Sequence, residues 1–135
     1  MTARFGRETW SLVLPLGWRA WHDDECATIV GPGDVGALQI SAAFKDSDVL
    51  EADLRDFASD HLDAGAQPSS VHIGDFVGLE ITFSDGERFW RQWYLRNARQ
   101  MLFITYNCAL DSRGLEDDSI YDALSFLVSR GAEVA

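Results

Sequence analysis

The 135-residue sequence predicts an α+β fold in which an antiparallel β-sheet is flanked by two main α-helices. Two observations carry this. Apolar residues recur with the two-residue period of strands through residues 10–44 and 71–108, and with a helical period through 46–65 and 115–128. Strands and helices therefore come in runs, and the missing β-α alternation excludes a parallel, doubly wound sheet.

The first strand is the alternating stretch 10–14, which stops at Pro15 because proline cannot donate to a ladder, and Gly17 continues the turn. Residues 18–22 follow, then the acidic run Asp23-Asp24-Glu25, then residues 26–30, which read as a second strand or a pair of short ones. The cluster Gly31-Pro32-Gly33-Asp34-Val35-Gly36 turns the chain into residues 37–44, which gives a hairpin.

Between residues 46 and 65 Leu50, Leu54, Phe57, Ala58 and Leu62 form a helical stripe. Ser47 or Asp48 is placed to cap it and Gly65 to end it. A linker over 66–70 leads to three strands. Residues 71–73 with 76–83 form one, 88–96 the next and 101–108 the last, with turns at Asp85-Gly86 and Asn97-Ala98. A helix over 115–128 closes the chain, with Ile120, Ala123, Leu124, Leu127 and Val128 on its stripe and Gly131 beyond it. Leu54, Phe57, Leu124 and Leu127 are expected to be buried against one continuous sheet.

This length and composition, 47% hydrophobic and 12% aromatic, fit a single packed domain over residues 1–135. Neither a secretory leader nor a stretch approaching the ~20 apolar residues of a membrane span is visible, so the expectation is a cytoplasmic protein that does not insert into membranes. Cys26 and Cys108 lie far apart and outside any metal-binding spacing, and reduced thiols are expected.

Net charge is −11, and it is unevenly distributed. Residues 46–65 hold seven acids against one arginine, and residues 111–135 hold six acids against two. Such a surface repels nucleic acid and attracts a partner with basic segments.

The opening Trp10-Ser11-Leu12-Val13-Leu14-Pro15-x-Gly17-Trp18 resembles the strand, Pro, x, Gly-Trp start of the PsbP-like superfamily, which includes DcrB-like bacterial proteins and the Ran-binding Mog proteins. Gly78-x-Glu80, the Asp-Gly hairpin, and Thr105-Tyr106 leading to a final helix ending Leu124-Ser125-Phe126-Leu127 are similar in order and spacing over nearly the whole chain. The resemblance implies a PsbP-like α/β/α sandwich that binds partners and has no shared catalytic residues. Among bacterial members it is similar to the small acidic chaperones of type VI secretion effectors, which are cytoplasmic and bind hydrophobic effector segments.

Candidate sites divide accordingly. His22-Asp23-Asp24-Glu25-Cys26 contains metal-ligand types in a row, but neighbours on a strand point to opposite faces and cannot converge on one ion. The acids from Asp46 to Asp53 lack the central glycine and alternating ligands of a calcium loop, and capping explains them. The glycines of 31–36 open no helix, so no phosphate site is expected. His22, His61 and His72 fall in no catalytic motif. No catalytic residue, metal or cofactor is therefore expected.

On the strand 88–96 Phe89 and Trp93 share one face, and Trp90 and Tyr94 the other. Trp90 and Tyr94 with Arg88 and Arg96 form one candidate partner-binding surface, Trp18 and Trp21 a second, and the acidic helix face of Asp56, Asp60 and Asp63 a third. Arg91 interleaves with the same aromatics. The function expected is non-enzymatic binding of another protein through its basic or hydrophobic segments, as an adaptor, chaperone or immunity protein for a larger effector or toxin. A second copy of the chain is a further candidate partner. The alternative is a small-molecule-binding or hydrolytic domain with a pocket between helix and sheet.

Overall fold

The computed structural model describes residues 3–130. Strands β1 (Ala3–Gly6), β2 (Trp10–Leu14), β3 (Arg19–His22), β4 (Ala27–Val30) and β5 (Gly36–Phe44) precede helices α1 (Glu51–Phe57) and α2 (Ser59–Asp63). Then come β6 (Ser69–Ile73), β7 (Phe76–Ser84), β8 (Arg88–Asn97) and β9 (Gln100–Ala109). A 3₁₀ turn, Leu110–Ser112, leads to α3 (Asp117–Ser125) and β10 (Val128–Ser129). The α+β class is as expected.

The strands form two antiparallel sheets instead of one. The larger has the order β3-β4-β5-β9-β8-β7-β6 and the smaller β1-β2-β10. The predicted first strand is thus β2, removed from the main sheet by the Pro15-Leu16-Gly17 turn, where Gly17 takes φ +84°. Its Trp10, Leu12 and Leu14 pack with α3 residues Ile120 and Leu124 onto Ile29, Leu38, Ile40, Trp93, Leu95 and Ile104 of the main sheet. The small sheet and α3 together cover one face. Strand β1 carries only one large apolar residue, Phe5, and gained no strand signal. It exists by pairing with β2, and its Gly6 lies where a Cβ would come 2.2 Å from the Trp10 carbonyl oxygen.

The other face is covered by α1 and α2, where Val49, Leu54 and Ala58 meet Leu79, Ile81 and Tyr94. This helical segment is shorter and more broken than its periodicity suggests. The backbone N–H groups of Lys45 and Val49 donate to the carbonyls of Arg99 (2.9 Å) and Ala98 (2.8 Å), which holds residues 45–49 against the β8–β9 turn. The helix starts only at Glu51. Ser47 and Asp48 do not cap it; Asp53 accepts the Leu50 N–H at 2.7 Å, half of a capping box. Ala58 interrupts the helix, and Gly65 ends α2 as expected, with φ +101°. Gly65 N–H reaches Leu62 O (3.1 Å) and Ala66 N–H reaches His61 O (3.0 Å), the paired bonds of a Schellman motif.

Three further expectations change. Phe57 is 52% exposed, because Leu54 and Ala58, four apart, define the line facing the sheet and leave Phe57 at the helix margin. Its ring leans on Tyr94 (5.6 Å) and Phe103 (5.2 Å). Residues 71–83 are not one strand but the hairpin β6–β7 around Gly74-Asp75. The final helix covers only Asp117–Ser125; Leu127 is buried beyond it, and Val128 pairs with Ser11 of β2. Gly131 lies outside the described residues. The Asp85-Gly86 turn stands, and at the β8–β9 turn Ala98 takes φ +51° without being glycine.

Leu54→Ala and Leu124→Ala are expected to cost ~2–5 kcal/mol each in denaturant unfolding, and Phe57→Ala only about 1 kcal/mol because half of it stays in water. Ala98→Gly is expected to raise stability by about 0.5–1 kcal/mol in the same measurement, since relief of a left-handed alanine exceeds the added freedom of the unfolded chain.

Candidate functional site

Regular register across the main sheet places Trp21, Thr28, Gln39, Thr105 and Gln92 in one cross-strand row. That row lies on the face carrying α1 and α2. The two helices are short and cover only the β7–β8 side, over Leu79, Ile81 and Tyr94. Toward β3 the same face is uncovered: Gln39 and Ala43 are exposed, and Ser41, Phe103, Thr105 and Asn107 are half-buried. Aromatics border this polar floor. Trp21 (48% exposed) stands at one side and Phe57 (52%) at the other.

The expected division of the aromatic strand holds, with Trp93 packed toward α3 and Tyr94 toward α1. Tyr94, however, is only 2% exposed, because Leu54 of α1 closes over it; it is core and not a contact residue. Its hydroxyl donates to Gln92 Oε1 at 2.6 Å, and burial pushes its pKa up to about 12. Trp90 is half-buried, stacked on Phe83 at 6.2 Å, with Nε1 donating to Asp85 Oδ2 at 3.2 Å. Arg88 is exposed on this face and donates to Asn107 Oδ1 (2.8 Å), while Arg96 sits at the far end of the strand near Val49 O (3.5 Å).

Trp18 and Trp21 do not form a patch. Trp18 packs into the core on the opposite face, where a Cβ on Gly31 would come 3.0 Å from its ring. Asp56, Asp60 and Asp63 are exposed on α1 and α2, and none of them forms an ion pair among the described residues.

Arg91 belongs to the other face, under α3. It reaches the Tyr121 hydroxyl and Asp117 Oδ2 (3.4 Å), and its guanidinium lies over the Phe89 and Tyr121 rings. Glu80 joins this group, accepting from Trp93 Nε1 (2.5 Å) and Tyr121 OH (2.7 Å). Burial, then Glu80, push Tyr121 up to about 12. Nearby, Tyr106 donates to the buried Glu116 at 2.7 Å, and burial followed by that carboxylate raises the Tyr106 pKa. Sequence reasoning missed this polar layer. Its visible signals were Glu80 and Arg91, charges at inward-facing strand positions.

In the run His22 to Cys26, Asp23 closes the β3–β4 turn by accepting the N–H groups of Glu25 (2.8 Å) and Cys26 (2.9 Å). These bonds, Cys26 first, hold its carboxyl below the usual range. Beside the turn lies a cavity of about 470 Å³, lined by Arg7, Glu8, Trp10, His22, Asp24 and Glu25 among others. Arg7 already donates to Asp23 O at 3.0 Å. Among the described residues no three potential ligands converge on a metal position, both cysteines are free thiols, and no helix is long and apolar enough to cross a membrane.

No family model matches the chain, and no curated protein does. Solved structures do match. A protein from Bacteroides thetaiotaomicron VPI-5482 is 16% identical with a TM-score of 0.67, over 90% of this chain and 45% of that one. The chain thus spans just under half of that protein. LpqN, described as involved in cell envelope biogenesis of Mycobacterium tuberculosis, is 16% identical with a TM-score of 0.65, over 96% of this chain and 90% of LpqN. At these identities the likeness is one of fold. The matched structures also include the cyanobacterial PsbP of Synechocystis sp. PCC 6803, 12% identical with a TM-score of 0.49 over 95% of this chain and 92% of that one.

Two pH effects are expected. Asp23, Asp53 and Asp85 are all held low by backbone N–H groups. Their contribution is complete above the unfolded value of about 3.9 and lost as pH falls through the lower folded values. Melting temperature should therefore fall between about pH 5 and pH 2, and more shallowly in Asp85→Ala. Tyr94 and Tyr121 are raised, so their contribution is complete below about pH 10 and lost as pH rises toward about 12. Tyr94→Phe should make that alkaline fall shallower.

Proposed function

We propose that the chain is a non-enzymatic, cytoplasmic protein-binding domain that serves as an adaptor, chaperone or immunity protein for a larger effector or toxin. The observation that carries this reading is the uncovered half of the main sheet. Trp21 and Phe57 stand about half exposed on its two sides, and the acidic outer face of α1 and α2, with Asp56, Asp60 and Asp63, rises beside it. Large aromatics left in water beside a polar floor are the kind of anchor that protein interfaces use. A field of unpaired aspartates steers a basic partner toward them.

Charges at the rim set mainly the rate of association and are screened by salt, whereas buried aromatics set dissociation. The two groups therefore separate in surface-based kinetics against the protein encoded beside this one, at two salt concentrations. Asp56→Asn, Asp60→Asn and Asp63→Asn together are expected to slow association and weaken its salt dependence. Trp21→Ala and Phe57→Ala are expected to speed dissociation. Association indifferent both to salt and to the three Asn substitutions refutes the acidic face as a steering surface.

A further inference from the structure

The main sheet has two edge strands, β3 and β6. The turn between β1 and β2 guards the first: Arg7 donates to Asp23 O at 3.0 Å, and Phe5 stacks on His22 at 4.6 Å. At β6, among the described residues, no hydrogen bond involves residues 69–73 apart from the ladder to β7.

Which of its backbone groups face outward follows from the turn. Ile73 pairs with Phe76 across the two-residue turn Gly74-Asp75, where Gly74 has φ +58°. Residues flanking a two-residue turn form a hydrogen-bonded pair, and such pairs alternate along an antiparallel ladder. Ser69, Val71 and Ile73 therefore bond to β7. Ser70 and His72 turn their N–H and C=O groups to the free edge.

Edges are normally blunted by lysine, proline, inward charge or a bulge. Ser-Ser-Val-His-Ile contains none of the first three, and its register with β7 is unbroken from Ser69 to Ile73. Beside it lies a recess of about 370 Å³ whose lining includes Ser70, His72, Val77, Arg96 and Glu51. Alternate side chains of an added strand would stand at the outer rim of this recess, beside Ser70 and His72.

Charge decides the occupant. A second copy would bring −11 against −11. The neighbouring segment 46–65, with seven acids against one arginine, favours lysine or arginine. We infer that β6 is a docking edge at which an extended basic segment of the partner protein adds as an eighth strand, through the backbone of Ser70 and His72. This rests on the protein-binding reading above and gives it a mode.

The test uses the full chain and a blocked peptide of about eight alternating lysine and valine residues, which favours the extended state. In the free chain the amides of Ser70 and His72 should exchange fast by NMR, and those of Val71 and Ile73 slowly. The peptide should slow Ser70 and His72 by ~10-fold or more at about 1 mM, less so at high salt. His72→Pro removes an outward N–H that the native ladder does not use. It should leave the fold intact and abolish peptide binding, while His72→Ala binds as the parent does. Ser70→Pro serves if His72→Pro fails to fold.

Unchanged exchange at Ser70 and His72, protection at β3 in their place, or a folded His72→Pro that still binds overturns the proposal. So does dimerisation through β6, seen by sedimentation and lost in His72→Pro. Partner association that survives His72→Pro yet responds to the three Asp→Asn changes removes the edge and leaves the binding reading. Partner association indifferent to salt, to those changes and to His72→Pro removes both.

Discussion

Trp93 and Tyr94 are neighbours on β8, both almost fully buried, and they point to opposite faces of the main sheet. Neither ring can be left in water without losing burial of the order of 150–250 Å². Both faces of the sheet must therefore be covered, and the layers follow from this. Beneath Trp93 the chain supplies the small sheet and α3; above Tyr94 it supplies α1 and α2. The second cover is smaller, seven and five residues of helix, and it closes only the strands on which Tyr94 and its neighbours lie. The uncovered floor toward β3 is the consequence, and there the cross-strand row changes from Ile81 to Gln92, Thr105 and Gln39.

Burying aromatics that carry polar atoms imposes a second requirement. Trp93 Nε1 is satisfied by Glu80, Tyr94 OH by Gln92 and Tyr106 OH by Glu116. The partners Glu80 and Glu116 in turn fix the approach of α3, because Tyr121 also donates to Glu80 and Glu116 immediately precedes the helix. Carboxylates beneath a helix are costly unless fully bonded, and here their bonds tie α3 to β7 and β9. Trp10 Nε1 has no partner among the described residues, and such a buried orphan costs about 1–3 kcal/mol. The small sheet thus packs at some expense to the core.

The fold class was legible because β7 and β9 carry a two-residue period, the meander turns at Asp85-Gly86 and Ala98, and Leu54 and Leu124 sit at the centres of true helical stripes. What sequence alone did not reveal is set by tertiary contact. Strand β1 exists because β2 offers it an edge, and Val128 leaves the helical stripe because Ser11 needs a partner. Residues 45–49 are pulled out of the helix by carbonyls on the β8–β9 turn, fifty residues away in sequence. The candidate surfaces fared similarly. Periodicity separated Trp90 and Tyr94 from Trp93 correctly, but it carries no information on how far a helix reaches. Leu54 closes over Tyr94, the Leu54–Ala58 line leaves Phe57 at the margin, and Trp21, on the edge strand β3, stays open.

The placement of the aspartates bears on whether the acidic face is more than a solubilising coat. In α1, Glu51 and Asp53 lie in the first turn, where negative charge is favourable, and both have a cation at hand in Arg55 and Lys45. Helix stability accounts for them. Asp56 and Asp63 lie in the last turns of α1 and α2, where the helix dipole opposes negative charge by about 0.3–1 kcal/mol each. Asp60 stands between them on the same exposed side, but in the first turn of α2, where negative charge is favoured. Solubility would be served equally by acids elsewhere on the surface, without this cost. Asp56 and Asp63, without an ion pair among the described residues and held at positions the helices disfavour, are explained by neither folding nor solubility. On the proposed reading, a surface that attracts a basic partner accounts for both their sign and their place.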